Sequence, residues 1–344
     1  MNSKFKFLAL AIFMIFFNLQ TKASSVLLPM DDEGQQNHLK AYGITYWALA
    51  KSYKVNWLLN YRGGSFLLPD GDDIRKECQI RGVSFEVLTD GATAAILEEI
   101  SSPSQNMETV VLEKAPKIAV YTPKGKQPWD DAVTMVLTYA EIPYTEIYDE
   151  EVLSDQLVLY EWLHLHHEDF TGQYGKFFGN YRNAPWYIQQ KLEAEALAKK
   201  LGFSKVSEEK RAVATKIRDY VIGGGFMFAM CSATDSFDIA LSAESTDICE
   251  PMFDGDASEP NYQAKIDYSN TFAFKDYILE KQPMKYEFSD IDTTEEHGKG
   301  SFSMEVDYFT LMDFSAKWDP IPTMLCQNHT QIVKGFMGQT TAFA

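Results

Sequence analysis

The feature that most constrains this fold is the alternation of short apolar segments with longer helical patterns from Lys117 onward. Segments 117–122 and 226–230 are compact and apolar, as strands are, whereas segments 184–200 and 206–221 follow a helical period. Strands that alternate with helices of this length form mostly parallel sheets with helices packed on both faces. The pattern therefore predicts an α/β fold built on a doubly wound, mostly parallel sheet.

A polar segment with a central proline, residues 101–106, is the best candidate for a linker. Before it, strand and helix patterns already follow one another, with Asn37 as a candidate helix cap. After it, the strand–helix pattern starts again. The sequence therefore predicts an N-terminal α/β unit over residues 24–106 and a main α/β domain over residues 107–344.

The first 23 residues have the pattern of an export signal. Lys4 and Lys6 precede an apolar run over residues 7–17, and Thr21-Lys22-Ala23 resembles a cleavage site. The run is shorter than the ~20 residues that span a bilayer, and no later run is long enough. We therefore expect a periplasmic or secreted protein that is free of the membrane after signal cleavage.

The net charge of the chain limits the classes of partner that it can bind. The formal net charge is −18, and removal of residues 1–23, with three lysines and no acidic residue, takes it to −21. A surface this acidic repels phosphate backbones, so nucleic acid is disfavoured as a partner. We expect a small-molecule substrate and no cofactor, and the composition leaves the oligomeric state open.

The strongest chemical signal is Cys231, which lies where an apolar strand meets a helix. A nucleophile elbow is a sharp turn of this kind, and it needs small residues two positions before and two after the nucleophile. Ala229 and Ala233 occupy those positions. The helix start favours a thiolate, and the backbone N–H of Ser232 would face a developing oxyanion. We predict Cys231 as a nucleophile, and the alternative is a structural cysteine, buried or in a disulfide.

A second cluster, residues 164–169, follows another apolar segment and contains three histidines, a glutamate and an aspartate. Ligands of open α/β sheets gather beyond the carboxyl ends of the strands, so this cluster is expected to share a cleft with Cys231. It could supply a base for the cysteine or ligands for a divalent metal, and we favour the base without a metal. The predicted catalytic residues are Cys231, His166, His167 and Glu168, and the predicted substrate contacts are Asp169, Thr171 and Thr234.

The run Gly223-Gly224-Gly225 is a possible phosphate cradle, but it precedes the strand that ends at Cys231. About five residues at ~3.3 Å each put the run ~17 Å from the elbow, at the opposite edge of the sheet. We therefore expect it to end the preceding helix and turn the chain, and not to bind phosphate.

Four cysteines, Cys78, Cys231, Cys249 and Cys326, allow three disulfide pairings in an oxidising compartment. Four in a chain of 344 residues are too few for a disulfide scaffold. The count neither requires bridges nor excludes a free reactive thiol, so the pairing stays open.

The two clusters and their flanking segments resemble the class I glutamine amidotransferase-like family. The resemblance covers nearly the whole mature chain, and its distinctive stretches are residues 37–43, 60–66, 164–175 and 229–238. It implies a flavodoxin-like doubly wound sheet with an elbow cysteine as the nucleophile, which is Cys231 here. Within that family the chain is most similar to exported bacterial proteins that commonly carry the label asparagine synthetase B.

The chain departs from the family pattern in three ways. The family cysteine lies between glycines, whereas Ala229 and Ala233 hold those positions here. The family places a His-x-Glu pair after the cysteine, but His297 and His329 have no such glutamate. Similar proteins also continue through a Gly-Gly-His-Asp segment, which points to a C-terminal truncation of this chain.

The label asparagine synthetase B disagrees with the residues. Glutamine-dependent asparagine synthesis needs an N-terminal cysteine nucleophile and a Ser-Gly-Gly-Leu-Asp-Ser-type loop for ATP. Residue 2 is Asn2, and no such loop occurs. The sequence favours an exported glutamine amidotransferase-like hydrolase that acts on an amide or related acyl bond through a cysteine. A non-catalytic periplasmic binding protein on the same fold is the alternative from another class.

Overall fold

The computed structural model describes residues 23–123 and 132–291, together with 306–308, 317 and 332–334. These residues divide into two compact units, the first built mainly from the chain up to Ala115 and the second mainly from Pro116 onward. The first unit thus extends past residue 106, where the sequence predicts a boundary. Apart from Ala23, the predicted export segment lies outside the described residues, as do Cys326, His297 and His329.

The first unit is a five-stranded antiparallel sheet with helices. Its strands follow the order β4-β1-β3-β2-β5, and every neighbouring pair is antiparallel. The expectation of mostly parallel pairing is therefore wrong for this unit, because the short connections between β2 and β3 favour antiparallel neighbours. In chain order the elements are β1 (Ala23–Leu28), α1 (His38–Ala50), β2 (Val55–Leu59), β3 (Phe66–Pro69), α2 (Asp72–Arg81), β4 (Glu86–Thr89), α3 (Asp90–Ser101) and β5 (Glu108–Leu112).

Both faces of this first sheet are covered. Val26 and Leu28 of β1 pack in one apolar cluster with Ile44 of α1, whereas Leu27 packs in another with Ile100 of α3. Successive side chains of a strand point to opposite faces of the sheet, which explains why Leu27 and its two neighbours belong to different clusters. Helix α1 begins where the sequence predicts, because the side chain of Asn37 accepts a 3.2 Å hydrogen bond from the Lys40 N–H.

The second unit contains a four-stranded parallel sheet in the order β7-β6-β8-β9, which confirms the expected parallel α/β arrangement for this part of the chain. The apolar segment before the histidine cluster is only partly a strand, because its first residues form a 3-10 turn, Gln156–Leu159. The elements are β6 (Ile118–Tyr121), α4 (Ala132–Ala140), β7 (Tyr144–Ile147), α5 (Asp149–Leu153), β8 (Trp162–Leu165), α6 (Phe178–Tyr181), α7 (Pro185–Lys200), α8 (Val206–Ile222), β9 (Phe226–Ala229), α9 (Ser232–Ser242) and α10 (Pro251–Asp254). A separate two-stranded sheet pairs β10 (Val306–Tyr308) with β11 (Ile332–Lys334).

The core of the second unit joins the parallel sheet to α8 and α9. Leu163 and Leu165 of β8 share one buried apolar cluster with Ile217 of α8 and Phe237 of α9. The chain after β8 approaches α8 closely at Gly172, where an added Cβ would lie 2.7 Å from the Cα of Ser207. Gly172 also has a φ of +83°. Glycine therefore suits this position for two reasons: it has no Cβ to collide with Ser207, and it adopts a positive φ without strain. Within the described ranges, no helix is both long and apolar enough to cross a membrane.

Candidate functional site

Cys231 lies at the turn that joins the last residues of β9 to the first turn of α9. Its backbone has φ 53° and ψ −142°, a combination that a residue with a side chain rarely adopts and that costs about 1–3 kcal/mol. The residue is exposed, whereas Ala233 two positions later is fully buried. The strained conformation, the exposed thiol and the small neighbour agree with the nucleophile elbow that the sequence predicts.

The two predicted clusters share one edge of the parallel sheet. Leu165, the last residue of β8, is paired with Ala229, the last residue of β9. The pairing extends one step beyond the strands, because the Met230 N–H donates to the Leu165 carbonyl at 3.0 Å. The chain that continues through His166 and His167 therefore leaves the sheet beside Cys231.

Two serines of α9 hold the turn after β8. The Ser232 hydroxyl donates to the carbonyl of His167, and the Ser236 hydroxyl donates to the carbonyl of Glu168, both at 3.0 Å. The N–H of Phe170 in turn donates to the Ser236 hydroxyl at 3.4 Å. Ser232 also begins α9, where a backbone N–H has no acceptor inside the helix. The predicted use of this N–H by an oxyanion is compatible with that position and stays a prediction.

The imidazoles of His166 and His167 contact each other at the sheet edge. Their Nδ1 atoms lie 3.0 Å apart, and the rings meet edge to face with centroids 4.6 Å apart. At this distance one Nδ1 donates a proton and the other accepts it, so one ring is the acceptor tautomer. In the neutral pair the ring that donates through Nδ1 has its lone pair on Nε2 and can act as a base there, whereas the lone pair of the accepting ring is engaged at Nδ1.

His164 has a different environment from the two histidines that follow it. It is buried within β8 and packs against Phe228, the residue paired with it on β9, with ring centroids 5.6 Å apart. Its ring lies 6.4 Å from that of His166. His164 thus belongs to the packed strand, and only the two later histidines continue beyond it.

The carboxylate of Glu168 is buried and accepts a 3.1 Å hydrogen bond from the His166 N–H. This contact closes the turn and sets the direction in which His166 leaves β8. In this structure one carboxylate oxygen of Glu168 positions His166, and the predicted catalytic role of Glu168 stays a prediction.

The three predicted substrate contacts have different surroundings. Asp169 accepts hydrogen bonds from the Thr171 N–H and hydroxyl, both at 2.6 Å, and from the Gly175 N–H at 2.9 Å. Thr171 is buried inside the loop, an environment that disfavours contact with a ligand, and its role as a substrate contact stays a prediction. Thr234 is half-buried beside the elbow, and its hydroxyl donates to the Cys231 carbonyl at 2.7 Å.

The three described cysteines are free, and only Cys231 is exposed. Burial raises the pKa of the Cys78 thiol to about 12 and that of Cys249 well above its ordinary value. The Cys249 thiol donates to the Thr171 carbonyl at 3.3 Å. Both buried thiols are therefore held protonated, and Cys231 is the thiol of this set with access to a reagent.

A buried ionic cluster at the same sheet edge escapes sequence analysis. The Lys210 ammonium on α8 lies 2.8 and 2.7 Å from the two carboxylate oxygens of Asp149, which follows β7. It also donates to the hydroxyls of Tyr121 at 3.0 Å and Tyr148 at 3.1 Å. Although burial lowers it, the pKa of Lys210 is raised well above its ordinary value by Asp149 and its neighbours. The Tyr121 ring also stacks on Phe170, 5.3 Å away, so the cluster supports the segment that follows the histidines.

One group of side chains has the composition of a metal site. Asp247, Cys249 and Asp254 each bring one ligand atom within 4.8 Å of the others. The Lys205 ammonium, however, lies 2.6 Å from Asp247, 3.2 Å from Asp254 and 2.5 Å from Asp256. Because the Lys205 ammonium is bonded to the carboxylates of this group and the Cys249 thiol is protonated, the group in this structure is better described as an ion-pair cluster than as a metal centre.

Comparison of this chain with protein-family models, with curated proteins and with solved structures finds no match. The resemblance to the glutamine amidotransferase-like family therefore stays a prediction from the residues.

Proposed function

We propose that this protein is an exported cysteine-dependent hydrolase that acts on an amide or related acyl bond of a small molecule. Cys231 is the nucleophile, and the conformation of this exposed residue, with φ 53° at a strand-to-helix turn, carries the proposal. A strained backbone at such a turn is typical of residues that must present a side chain to a cleft. The acidic charge of the chain favours a small molecule over nucleic acid as the partner.

The proposed fold of the second unit is flavodoxin-like and doubly wound. If the strands of the parallel sheet are renumbered 1 to 4 in chain order, from β6 to β9, their order across the sheet is 2-1-3-4. The first four strands of the flavodoxin-like fold have the same order. Because crossovers between parallel strands are right-handed, connections that lead to opposite sides of β6 put their helices on opposite faces. Substrates of such sheets bind where the order reverses, here between the carboxyl ends of β6 and β8, next to His166.

The proposed reaction proceeds through an acyl-enzyme. The Cys231 thiol gives its proton to Nε2 of the imidazole that donates its Nδ1–H within the His166–His167 pair, and its sulfur attacks the carbonyl carbon. The Ser232 N–H stabilises the oxyanion that forms. The imidazolium then protonates the leaving group as the carbon–nitrogen bond breaks. Water, deprotonated by the same imidazole, hydrolyses the thioester and restores the thiol.

The test uses 4-nitrophenyl acetate and the full chain. We expect a burst of 4-nitrophenol equal to the protein concentration, with one acetyl group on Cys231 in peptide mass spectra. Cys78 and Cys249 serve as internal controls because they are buried. The variant Cys231→Ala should show no burst, and His166→Ala and His167→Ala should each slow acylation.

A silent Cys231 in a folded protein would contradict the proposed hydrolase. That result would favour the alternative, a binding protein that keeps the fold without turnover. Acetylation of Cys231 at a rate unaffected by both histidine variants would contradict the assignment of the base, because it would leave the thiol without the proton acceptor that we propose.

A further inference from the structure

A groove of about 530 Å³ lies at the edge of the parallel sheet opposite Cys231. Tyr160 and Glu161, which come shortly before β8, line it together with Gly223–Gly225, which precede β9. The four residues of β9, at ~3.3 Å each, put roughly 13 Å of strand between this groove and the elbow. Its volume is within the ~300–1,000 Å³ range of small-molecule sites, so it is a separate candidate binding site.

The glycine run gives the groove its shape. At Gly225 an added Cβ would lie 2.2 Å from the ring of Tyr220, so only glycine lets that ring pack against the start of β9. The Tyr220 hydroxyl lies 3.3 Å from the carbonyl oxygen of Tyr160 and 3.4 Å from that of Phe226, and its one proton is donated to either of them. The run therefore does more than end α8, because it makes room for a tyrosine ring whose hydroxyl reaches the first residue of β9 and the segment before β8.

The charge of the groove favours a cation. Three carboxylates line it, those of Asp155, Glu161 and Asp219, against the single ammonium of Lys216. Lys216 pairs with Asp155 at 2.5 Å, so it is already neutralised within the groove. Asp219 has its carboxylate 3.3 Å from Arg218, yet its side chain is 60% exposed and reaches solvent. A phosphate or carboxylate ligand would be repelled here, whereas a protonated amine would be attracted.

The walls of the groove are apolar and aromatic. Val152 and Leu157 line it beneath Val158, which is 79% exposed although it is a large apolar side chain. The rings of Tyr160 and Tyr220 add faces that attract cations. A ligand that uses both features has an apolar body and a positive charge.

We propose that this groove binds an amphipathic organic cation, a protonated amine on an aromatic or aliphatic body. Asp219 and Glu161 attract the ammonium group, and the tyrosines with the apolar wall contact the body. This site is independent of the proposed hydrolase, since no residue of the groove belongs to the elbow or the histidine turn.

The experiment measures binding of phenethylamine to the full chain by isothermal titration calorimetry at neutral pH. 3-Phenylpropanoate, with a similar body and the opposite charge, is the matched ligand. Asp219→Asn should weaken phenethylamine binding roughly fivefold, as expected for loss of one exposed charge pair. Glu193→Gln, an exposed glutamate on α7 away from the groove, should leave it unchanged. Cys231→Ala should also bind normally, which separates this site from the catalytic one.

Three results would overturn the proposal. They are the absence of phenethylamine binding, equal affinity for 3-phenylpropanoate, and equal affinity of the Asp219→Asn and Glu193→Gln variants. Failure of the 4-nitrophenyl acetate burst would leave this inference intact, because the two experiments probe different edges of the sheet.

Discussion

The hydroxyl of Ser232 donates a 3.0 Å hydrogen bond to the backbone carbonyl of His167. This bond joins the first turn of α9, which directly follows the proposed nucleophile, to the turn that carries the proposed base. The two groups come from strands that are neighbours in the sheet but 61 or more residues apart in the chain, since β8 ends at Leu165 and β9 begins at Phe226. Their relative position therefore depends on contacts between the two turns.

Ser232→Ala should lower the reactivity of Cys231. Loss of the hydroxyl frees the histidine turn, and a hydrogen bond worth about 0.5–1.5 kcal/mol predicts a roughly two- to tenfold slower reaction. The measurement is the rate of iodoacetamide labelling at Cys231. Ser154→Ala removes an exposed hydroxyl that bonds to Glu150, Glu151 and Gln156, none of them in the elbow or the histidine turn, and it should label at the original rate. Equal rates for the two variants would contradict the role of the Ser232 bond.

Cys231→Gly should be more stable than Cys231→Ala. Both variants remove the exposed thiol, but only glycine relieves the strain of a positive φ at this position. After the greater chain entropy of glycine is subtracted, we expect a difference of about 1 kcal/mol in the free energy of unfolding. Urea denaturation measures it. An alanine variant as stable as the glycine variant would show that the turn stores no strain.

Lys210→Met should destabilise the protein by about 3–5 kcal/mol, because it leaves the buried carboxylate of Asp149 without its partner. Lys200→Met is the matched control, since Lys200 pairs with Glu150 at 2.7 Å on the exposed surface. That pair should contribute about 1 kcal/mol or less. Similar losses for the two variants in urea denaturation would contradict the importance of the buried cluster.

Glu209→Gln should stabilise the protein most at alkaline pH. Burial raises the pKa of Glu209 from 4.5 to about 8, despite the opposing charge of Lys210. Between these values the folded protein keeps a proton that the unfolded chain has lost, so its free energy of unfolding falls as the pH rises. The amide does not ionise and should remove this fall.

The measurement is urea denaturation at about pH 5 and about pH 8, near the two ends of that window. We expect a gain of ~1–3 kcal/mol from Glu209→Gln at the higher pH and little gain at the lower one. The exposed variant Glu193→Gln should change neither value. A constant difference between Glu209→Gln and the original protein at both pH values would rule out the proposed ionisation.

The elbow and the helices of the second unit were predictable because their signals are local. The apolar segment before Cys231, the alanines around it and the helical period after it all lie within a dozen residues. Helices α7 and α8 begin and end within one residue of the ranges that the sequence predicts. Strand β5 was missed because its place in the sheet depends on pairing with β2, far back in the chain.

Local sequence was sufficient for the kind of fold, the position of the thiol turn and the edge of the sheet to which the histidines belong. Hydrophobic period, capping residues and the direction of parallel strands depend on neighbours along the chain. Only the tertiary structure decided which polar side chains are buried together. Lys210 belongs to a segment with an ordinary amphipathic helix pattern, which does not predict its burial. Its partners Asp149 and Tyr121 are 61 and 89 residues away along the chain, and only the fold brings them into contact with it. The same holds for Thr171 and Glu168, since packing against α9 and the loop determined whether each faces solvent or backbone.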